Sequence, residues 1–207
     1  MDARAWDERY AASDLVWSRE PNQLVAAELA DLTPGTAVDL GAGEGRNAIW
    51  LASRGWSATA VDFSQVALDK GARLAADLGP AAPDVTWVCA DATTWRPSAP
   101  VDLVVVAYLQ LPADERRRAV RGAVESLRIG GTLLLVAHDA TNLTEGTGGP
   151  RDPAVLMTAE DVVADLAGLD VEVVRAERVA RQVTADDGHG GEVRRTAWDC
   201  VVRVVRR

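Results

Sequence analysis

The glycine-rich stretch at residues 38–46, Val-Asp-Leu-Gly-Ala-Gly-Glu-Gly-Arg, constrains the fold of this chain more than any other segment. A short β-type run over residues 36–40 leads into it, and residues 47–52 follow with apolar positions one helical turn apart. The pattern predicts a strand, a tight turn and a helix. Its glycines permit unusual dihedrals and close approach of a ligand, and the helix offers unpaired N–H groups to an anion. We therefore expect a nucleotide-like ligand at this turn.

The spacing of the glycines indicates which nucleotide is bound. When the dinucleotide fingerprint G-x-G-x-x-G is laid on Gly41 and Gly43, its third position requires a small residue, and this chain has Arg46 there. A nicotinamide dinucleotide is therefore disfavoured. The string Asp39-Leu40-Gly41-Ala42-Gly43-Glu44-Gly45 instead resembles the first motif, E/D-x-G-x-G-x-G, of the class I S-adenosylmethionine (SAM) methyltransferases. The resemblance implies SAM as the cofactor, with its methionyl part on a loop that includes Asp39, Gly41, Ala42, Gly43 and Gly45.

An acidic residue ends the second predicted strand, residues 56–62. Asp62 lies 23 residues beyond Asp39, and the carboxyl ends of parallel strands face one crevice, so we expect Asp62 beside the glycine turn. Its two oxygens can accept hydrogen bonds from both hydroxyls of a ribose. The alternative is that Asp62 caps the next helix, although Ser64 is also available for that task. We favour the ribose role.

The residues after the third predicted strand are assigned to the adenine. In the resemblance, an acidic residue at this point accepts a hydrogen bond from the adenine amine, and the backbone beside it contacts the ring. This implies adenine-binding roles for Asp91 and Ala92. Phe63, next to Asp62, either packs against the adenine or belongs to the core, and the sequence leaves both alternatives open.

The fourth predicted strand, residues 101–107, is a nearly unbroken apolar run of the kind that is buried on both faces of a sheet. The class I strand order places it beside the glycine strand, so its end at Ala107 faces the cofactor. Tyr108 and Gln110 then face the transferred methyl group. A tyrosine at a strand end is also common as a core ring with a hydrated hydroxyl, and this alternative stays open for Tyr108.

Two arginines are candidates to pair with the methionyl carboxylate, Arg19 and Arg46, although a surface salt bridge is the commoner fate of an arginine. The run Gly43-x-Gly45-Arg46-Asn47, followed by Leu51-Ala52 and Gly55, resembles the tellurite-resistance and thiopurine methyltransferase-like group. That group implies a soft methyl acceptor such as a thiol or a chalcogen anion.

His138 follows the fifth predicted strand and opens a long polar loop over residues 138–157. An imidazole there is the best-placed general base near neutral pH. A soft anionic acceptor needs no base, so we expect His138 to act mainly in binding. The alternative is that it is hydrogen-bonded to Asp139 or to the loop and never contacts substrate.

The first 20 residues are polar but contain Trp6, Tyr10 and Trp17, which is more aromatic content than a solvated tail carries. These rings either pack against the body of the domain or form an arm that closes over the ligand. The sequence favours the two interpretations about equally.

The whole pattern predicts one α/β domain over residues 1–207, with a doubly wound, mostly parallel seven-stranded sheet and a final antiparallel hairpin of residues 171–183 and 196–205. A length of 207 residues with 48% hydrophobic content suits a single core. Arginines 116, 117 and 118 are expected on a solvated helix face, His189 in an exposed turn, and both cysteines reduced and buried.

The formal charge of −9 argues against nucleic acid and anionic membranes as partners and favours a small-molecule substrate. No apolar run reaches the roughly 20 residues of a membrane helix, and a cytoplasmic location is expected. No metal is implied, and the oligomeric state is left open. Two alternatives to a methyltransferase remain: a NAD-linked oxidoreductase and a non-catalytic SAM-binding sensor.

Overall fold

The computed structural model describes residues 3–79, 84–186 and 192–207. These residues form one sheet with helices on both faces. The strands are β1 (Thr36–Leu40), β2 (Ser57–Asp62), β3 (Val85–Cys89), β4 (Val101–Ala107), β5 (Leu127–His138), β6 (Val171–Asp186) and β7 (Glu192–Arg206). The helices are α1 (Ala3–Ala11), α2 (Gln23–Leu29), α3 (Arg46–Ser53), α4 (Gln65–Ala76), α5 (Ala113–Glu125), α6 (Asn142–Glu145) and α7 (Ala159–Asp165), and a 3₁₀ turn covers Pro153–Val155.

The strand order is β3-β2-β1-β4-β5-β7-β6, with β7 antiparallel to both of its neighbours and all other pairs parallel. β1 lies between β2 and β4, so the chain direction across the sheet switches beside the glycine turn. A crevice at the carboxyl ends of the strands is expected at such a switch point. The predicted fold class is confirmed, including the doubly wound, mostly parallel sheet and the final hairpin.

The core consists of two apolar layers, one on each face of the sheet. Helices α5 and α7 cover one face and helices α2, α3 and α4 cover the other. β4 is the central strand, and Leu103, Val104, Val105 and Val106 are each at most 2% exposed. Because both faces of β4 are covered, its sequence is apolar at successive positions and does not alternate. The prediction for this strand is confirmed.

The C-terminal hairpin is longer than predicted. β6 and β7 pair from Val171 opposite Arg206 to Asp186 opposite Glu192, so each strand extends beyond its apolar segment. The turn that holds His189 lies outside the described residues. The polar ends of both strands carry a weak strand signal, and their pairing with each other extends the ladder.

The expected solvated face of α5 is partly wrong. Arg117 and Arg118 are exposed, but Arg116 is 7% exposed and its Nε donates to Asp165 Oδ2 at 2.6 Å. Asp165 is the last residue of α7, and Arg121 donates to its carbonyl oxygen. A buried arginine requires such a partner, so an ion pair joins the two helices.

The prediction that both cysteines are buried holds for Cys200 and is wrong for Cys89. Cys89 is the last residue of β3, which is an edge strand of the sheet. An apolar run alone does not distinguish an edge strand from an interior one. No helix in the described ranges is long and apolar enough to cross a membrane.

Candidate cofactor and acceptor site

The turn between β1 and α3 has the backbone that its glycines predict. Gly41, Gly43 and Gly45 have φ angles of 77°, 56° and 72°, in the left-handed region that favours glycine. A Cβ at Gly43 would lie 2.6 Å from the Tyr10 hydroxyl oxygen. The amide of Gly41 donates to the Val61 carbonyl at 2.8 Å, and that of Ala42 does so at 2.9 Å. The turn is therefore fixed against β2 by hydrogen bonds.

Asp39 lies beneath this turn and is 1% exposed. Its Oδ2 accepts a hydrogen bond from the Ala48 amide at 3.2 Å, in the first turn of α3, while Oδ1 has no partner within the described part of the chain. Burial raises the pKa of this carboxyl to about 7, although the Ala48 hydrogen bond and the charge of Arg46 act in the opposite direction. Asp39 thus joins β1 to the start of α3 and retains one unsatisfied acceptor.

Asp62 lies at the end of β2 and is 7% exposed. Its Oδ2 accepts from the Gly43 amide at 2.8 Å and its Oδ1 from the Ser64 amide at 2.9 Å. Burial raises the pKa of Asp62 despite these hydrogen bonds. Ser64 is the N-cap of α4, accepting from the Ala67 amide, so the alternative that Asp62 is the cap is wrong. Each carboxylate oxygen can accept a second hydrogen bond.

The residues assigned to the adenine lie at the carboxyl ends of β2 and β3, which are paired strands. Phe63 is 37% exposed, so the core alternative for this ring is wrong. Asp91 is exposed, and its Oδ1 accepts from the amide and the hydroxyl of Thr93, both at 2.8 Å. Ala92 is 8% exposed and packs in the core below. The first three strands therefore bring the glycine turn, Asp62 and Asp91 to one edge of the sheet.

The N-terminal segment packs directly on the glycine turn. The amides of Val16 and Trp17 donate to the carboxylate of Glu44, at 3.1 and 3.0 Å to Oε2, and Glu44 is 3% exposed. Tyr10 is 4% exposed and accepts from Trp17 Nε1 at 3.2 Å. Burial raises the pKa of Tyr10 to about 12 although the Trp17 hydrogen bond lowers it, and the charges of Asp62 and Glu44 raise it further.

The two predicted arginines differ in position. Arg19 is exposed, and the structure does not bring it to the glycine turn by any described contact. Arg46 is the first residue of α3, and its Nη1 donates to Ser18 Oγ at 3.0 Å. Burial lowers the pKa of Arg46, and no carboxylate of the described residues lies within ion-pair distance of it. Arg46 is therefore a partly buried cation without a carboxylate partner.

Tyr108 follows β4 and is the only non-glycine residue with a positive φ, 57°, among those described. Its hydroxyl donates to Asp199 Oδ2 at 2.8 Å. Burial raises the pKa of Tyr108 well above its ordinary value, and the neighbouring carboxylate of Asp199 raises it further. The ring packs against the core, as the alternative expects, and its hydroxyl is held by a buried acid.

His138 ends β5, directly opposite Asp199 on β7. Its Nδ1 lies 3.3 Å from Asp199 Oδ1, although the two are not aligned as a hydrogen bond, and its ring centroid is 4.8 Å from that of Tyr108. The alternative partner Asp139 is wrong, because Asp139 Oδ1 accepts from the amide and hydroxyl of Thr141. The imidazole is thus placed between a phenol and a carboxylate.

The loop after β5 folds back on this histidine. A Cβ at Gly149 would lie 2.8 Å from His138 Cδ2, and the φ of Gly149 is 76°. Gln110, which was expected to face the methyl group, uses its amide differently: its Oε1 accepts from the His138 amide at 3.2 Å and its Nε2 donates to the Val155 carbonyl at 2.8 Å. Gln110 therefore joins the end of β5 to the loop.

Sequence reasoning missed two residues of this cluster, Arg181 and Asp199. Asp199 is 0% exposed, and Arg181 Nε donates to its Oδ2 at 2.6 Å. Burial alone would raise the pKa of Asp199, but His138, Arg181 and Tyr108 outweigh it, and the net direction is downward. The available signal was a single carboxylate in the otherwise apolar run Ala197-Trp198-Asp199-Cys200-Val201. A buried acid in such a run requires partners.

Comparisons with known proteins relate the chain to methyltransferases. The family described as "Methyltransferase domain" matches residues 37–131. Trans-aconitate 2-methyltransferase of Azoarcus sp. (strain BH72) is 32% identical over 100 residues, which are 48% of this chain and 38% of the relative. Thiocyanate methyltransferase 1 of Brassica oleracea is 26% identical over 168 residues, 79% of this chain and 73% of the relative. The chain thus covers well under two thirds of the trans-aconitate enzyme.

Solved structures agree in fold. N-methyltransferase NodS from Bradyrhizobium japonicum WM9, in complex with S-adenosyl-L-homocysteine (SAH), superposes with a TM-score of 0.71 at 20% identity, over 100% of this chain and 99% of NodS. TehB from Haemophilus influenzae gives 0.71 at 15% identity, over 90% of this chain and 63% of TehB. These likenesses confirm the resemblance found in the sequence at the level of fold: the chain has the class I SAM-dependent methyltransferase fold, and its residues 37–131 match the methyltransferase-domain family.

Proposed function

We propose that this chain transfers a methyl group from SAM to a small-molecule acceptor. The observation that carries the proposal is the glycine turn, whose left-handed backbone is joined to the Asp62 carboxylate through the Gly43 amide at 2.8 Å. This arrangement puts a carboxylate and a side-chain-free backbone next to each other at the switch point between β1 and β4. The relatives' names and the domain family point to the same reaction class.

The residues of this turn fit SAM on chemical grounds. The unsatisfied Oδ1 of Asp39 is an acceptor beneath the loop, Asp62 has acceptor capacity for ribose hydroxyls, and Arg46 is a cation for the methionyl carboxylate. We assign the adenine to Phe63, Asp91 and Ala92. When bound, SAM supplies an electrophilic methyl group on a sulfonium. The protein residues then have to position the acceptor in line with it and exclude water.

The proposed acceptor class rests on the relatives. At the acceptor end, Asp199 is engaged by Tyr108 and Arg181 and faces His138, so this carboxylate is not free to act as a base. An already ionised nucleophile needs no base. The relatives' names include two ionised compounds, thiocyanate and trans-aconitate. We propose a soft anionic nucleophile, a thiol or chalcogen anion, as the acceptor.

The N-terminal segment is proposed to act as a lid. Its contacts with Glu44 and Gly43 involve the glycine turn itself, so a ligand that enters this turn meets Tyr10 and Trp17. Two N–H groups of the segment donate to the single buried carboxylate of Glu44, so one side chain holds the segment over the turn. The single domain over residues 1–207 and the cytoplasmic location stay predictions.

Calorimetric titration of the protein with SAM, SAH and NAD tests the proposal first. We expect binding of SAM and SAH and none of NAD. Binding of NAD without binding of SAM or SAH would instead indicate a NAD-linked oxidoreductase. The second step is formation of SAH from SAM with a cell extract as the source of acceptor. SAM binding without any methyl transfer would favour a sensor over an enzyme.

A further inference from the structure

Four polar side chains from four neighbouring segments of the sheet meet at one point beside the crevice. Asp199 on β7 lies opposite both His138 on β5 and Val179 on β6. Arg181 is two residues beyond Val179, so it shares a face with Asp199 and reaches it diagonally. Tyr108, at the end of β4, reaches the same carboxylate from the other side. Asp199 is thus the centre of the cluster.

The charges of this cluster do not balance. Asp199 is the one carboxylate in contact with it among the residues described, and it faces both Arg181 and His138. Arg46 brings a further positive charge. Burial is the main cause that lowers the pKa of Arg46, and repulsion by the charge of Arg181 lowers it further. Asp39 compensates Arg46 only partly, since burial raises the pKa of Asp39 to about 7. Two partly buried guanidinium groups therefore share the charge of Asp199 and only part of the charge of Asp39 near neutral pH.

Arg181 has donors that its ion pair does not use. A guanidinium carries five N–H groups, and the contact with Asp199 uses the one on Nε. The Tyr108 hydroxyl accepts at most one or two of the other four, and the guanidinium carbon lies 5.8 Å from the centroid of the Tyr108 ring. The side chain of Arg181 is 21% exposed, whereas that of Asp199 is fully buried. Arg181 is therefore a cation that one N–H group holds in place and whose side chain stays partly accessible.

We propose that Arg181 binds the negative charge of the methyl acceptor, and that Asp199 is the positioning residue that fixes the guanidinium for this task. The inference rests on the proposed function and narrows its substrate class to small anions that a planar fork of N–H groups can bind, such as a carboxylate or a linear inorganic anion. The glycine turn would hold SAM, whose sulfonium would be a further positive group, and an anionic acceptor would offset both charges.

The test measures anion binding to the SAH complex by calorimetry at fixed ionic strength. The probes are thiocyanate, trans-aconitate and 3-mercaptopropionate, with neutral 2-mercaptoethanol as the uncharged match for the last. We expect at least one anion to bind, and Arg181→Gln to weaken that binding at least tenfold while leaving SAH affinity within twofold of the parent. Arg195→Gln removes the same charge from an exposed position on β7 and should change neither affinity.

Two further variants separate positioning from charge. Arg181→Lys keeps the charge without the planar fork, so it should recover part of the anion affinity that Arg181→Gln loses. Asp199→Asn should reduce the preference for 3-mercaptopropionate over 2-mercaptoethanol with SAH affinity retained. If Asp199→Asn does not fold, the Gln and Lys variants of Arg181 decide the matter.

The outcomes distinguish the two proposals. Failure of the parent to bind SAH would overturn the proposed function. Normal SAH binding with no binding of any of the three anions, or with equal anion affinity in the parent and Arg181→Gln, would overturn the assignment of Arg181 alone.

Discussion

The two ends of the site are built in different ways. At the cofactor end, the glycine turn, Asp62 and Asp91 each lie at the carboxyl end of a strand of the N-terminal half, and the key contacts connect segments that are near one another along the chain, such as Gly43 and Asp62. At the acceptor end, Tyr108 pairs with Asp199, which is 91 residues away along the chain. The pairing of β4 with β5, of β5 with β7 and of β7 with β6 brings this cluster together.

This difference explains how each end can vary. A turn fixed by local dihedrals tolerates few residue types, because left-handed φ angles exclude most side chains. A cluster fixed by strand pairing changes whenever one facing residue changes, without altering the fold. We infer that the cofactor end sets the reaction class and the acceptor end sets the substrate.

The largest expected effect is at the cofactor end. Gly43→Val should abolish SAM binding, because a branched residue is strained at a φ of 56° and its Cβ would lie 2.6 Å from the Tyr10 hydroxyl oxygen. The measurement is SAM titration of the folded variant. Gly130→Val is the matched control, since Gly130 has a φ of 79° but no atom within 4 Å of its Cβ position.

Gly130→Val should lose stability from the same backbone strain and keep its SAM affinity. If Gly43→Val binds SAM as the parent does, the turn is not the cofactor cradle. If both variants lose SAM binding equally, strain alone and not the cradle explains the loss.

Asp62→Ala should weaken SAM binding by about 1.5 to 3 kcal/mol for each charged hydrogen bond that is lost, roughly 10- to 150-fold. The effect has two parts, because Asp62 also holds the Gly43 and Ser64 amides, so the free energy of unfolding should fall as well. Asp69→Ala removes an exposed carboxylate from α4 and serves as the control. Parent-like SAM affinity in Asp62→Ala would show that the ribose assignment is wrong.

Asp39 gives the cofactor end a pH dependence. Burial raises its pKa from the ordinary 3.8 to about 7, so the unfolded chain ionises this group first and stability falls as pH rises between about 4 and 7. The parent should therefore lose about 2 kcal/mol of unfolding free energy through this group as the pH rises from 5 to 7, and Asp39→Asn should not. Denaturant titration of parent and variant at the two pH values measures this difference. Parallel profiles for parent and variant would mean that Asp39 is ionised throughout.

Much of the fold was predictable because its signals are local. The bounds of β1, β3 and β4 match their apolar runs, and the Ser64 cap marks the start of α4. The length of the hairpin was not predictable, since a strand extends wherever its partner offers hydrogen bonds and not only where it is apolar. The burial of Arg116 was not predictable either, because it depends on a partner, Asp165, that lies on another helix.

The candidate site divides in the same way. Spacing along the chain led to Gly43, Asp62 and Asp91, because each follows a recognisable strand. Arg181 and Asp199 gave no comparable signal, because their roles depend on the register of three strands. Residue types at the acceptor end therefore become informative only once the pairing is known.

The smallest effect is expected for His138, which lies at the acceptor end of the site. Its Nδ1 faces the buried carboxylate of Asp199, and its ring is packed between Tyr108 and the loop at Gly149. This environment suits a residue that shapes the acceptor site. With a soft anionic acceptor, His138→Ala should lower turnover less than tenfold and act mainly on the Michaelis constant.

Steady-state kinetics over a range of pH tests this prediction, with His189→Ala as the control that removes the second of the two histidines. A reaction that depends on a general base should lose on the order of 10²-fold or more in turnover when that base is removed. A drop of that size at an unchanged Michaelis constant, restored by raising the pH, would identify His138 as the base. The acceptor atom would then be an oxygen or a nitrogen that must lose a proton, and the acceptor end would supply chemistry as well as recognition.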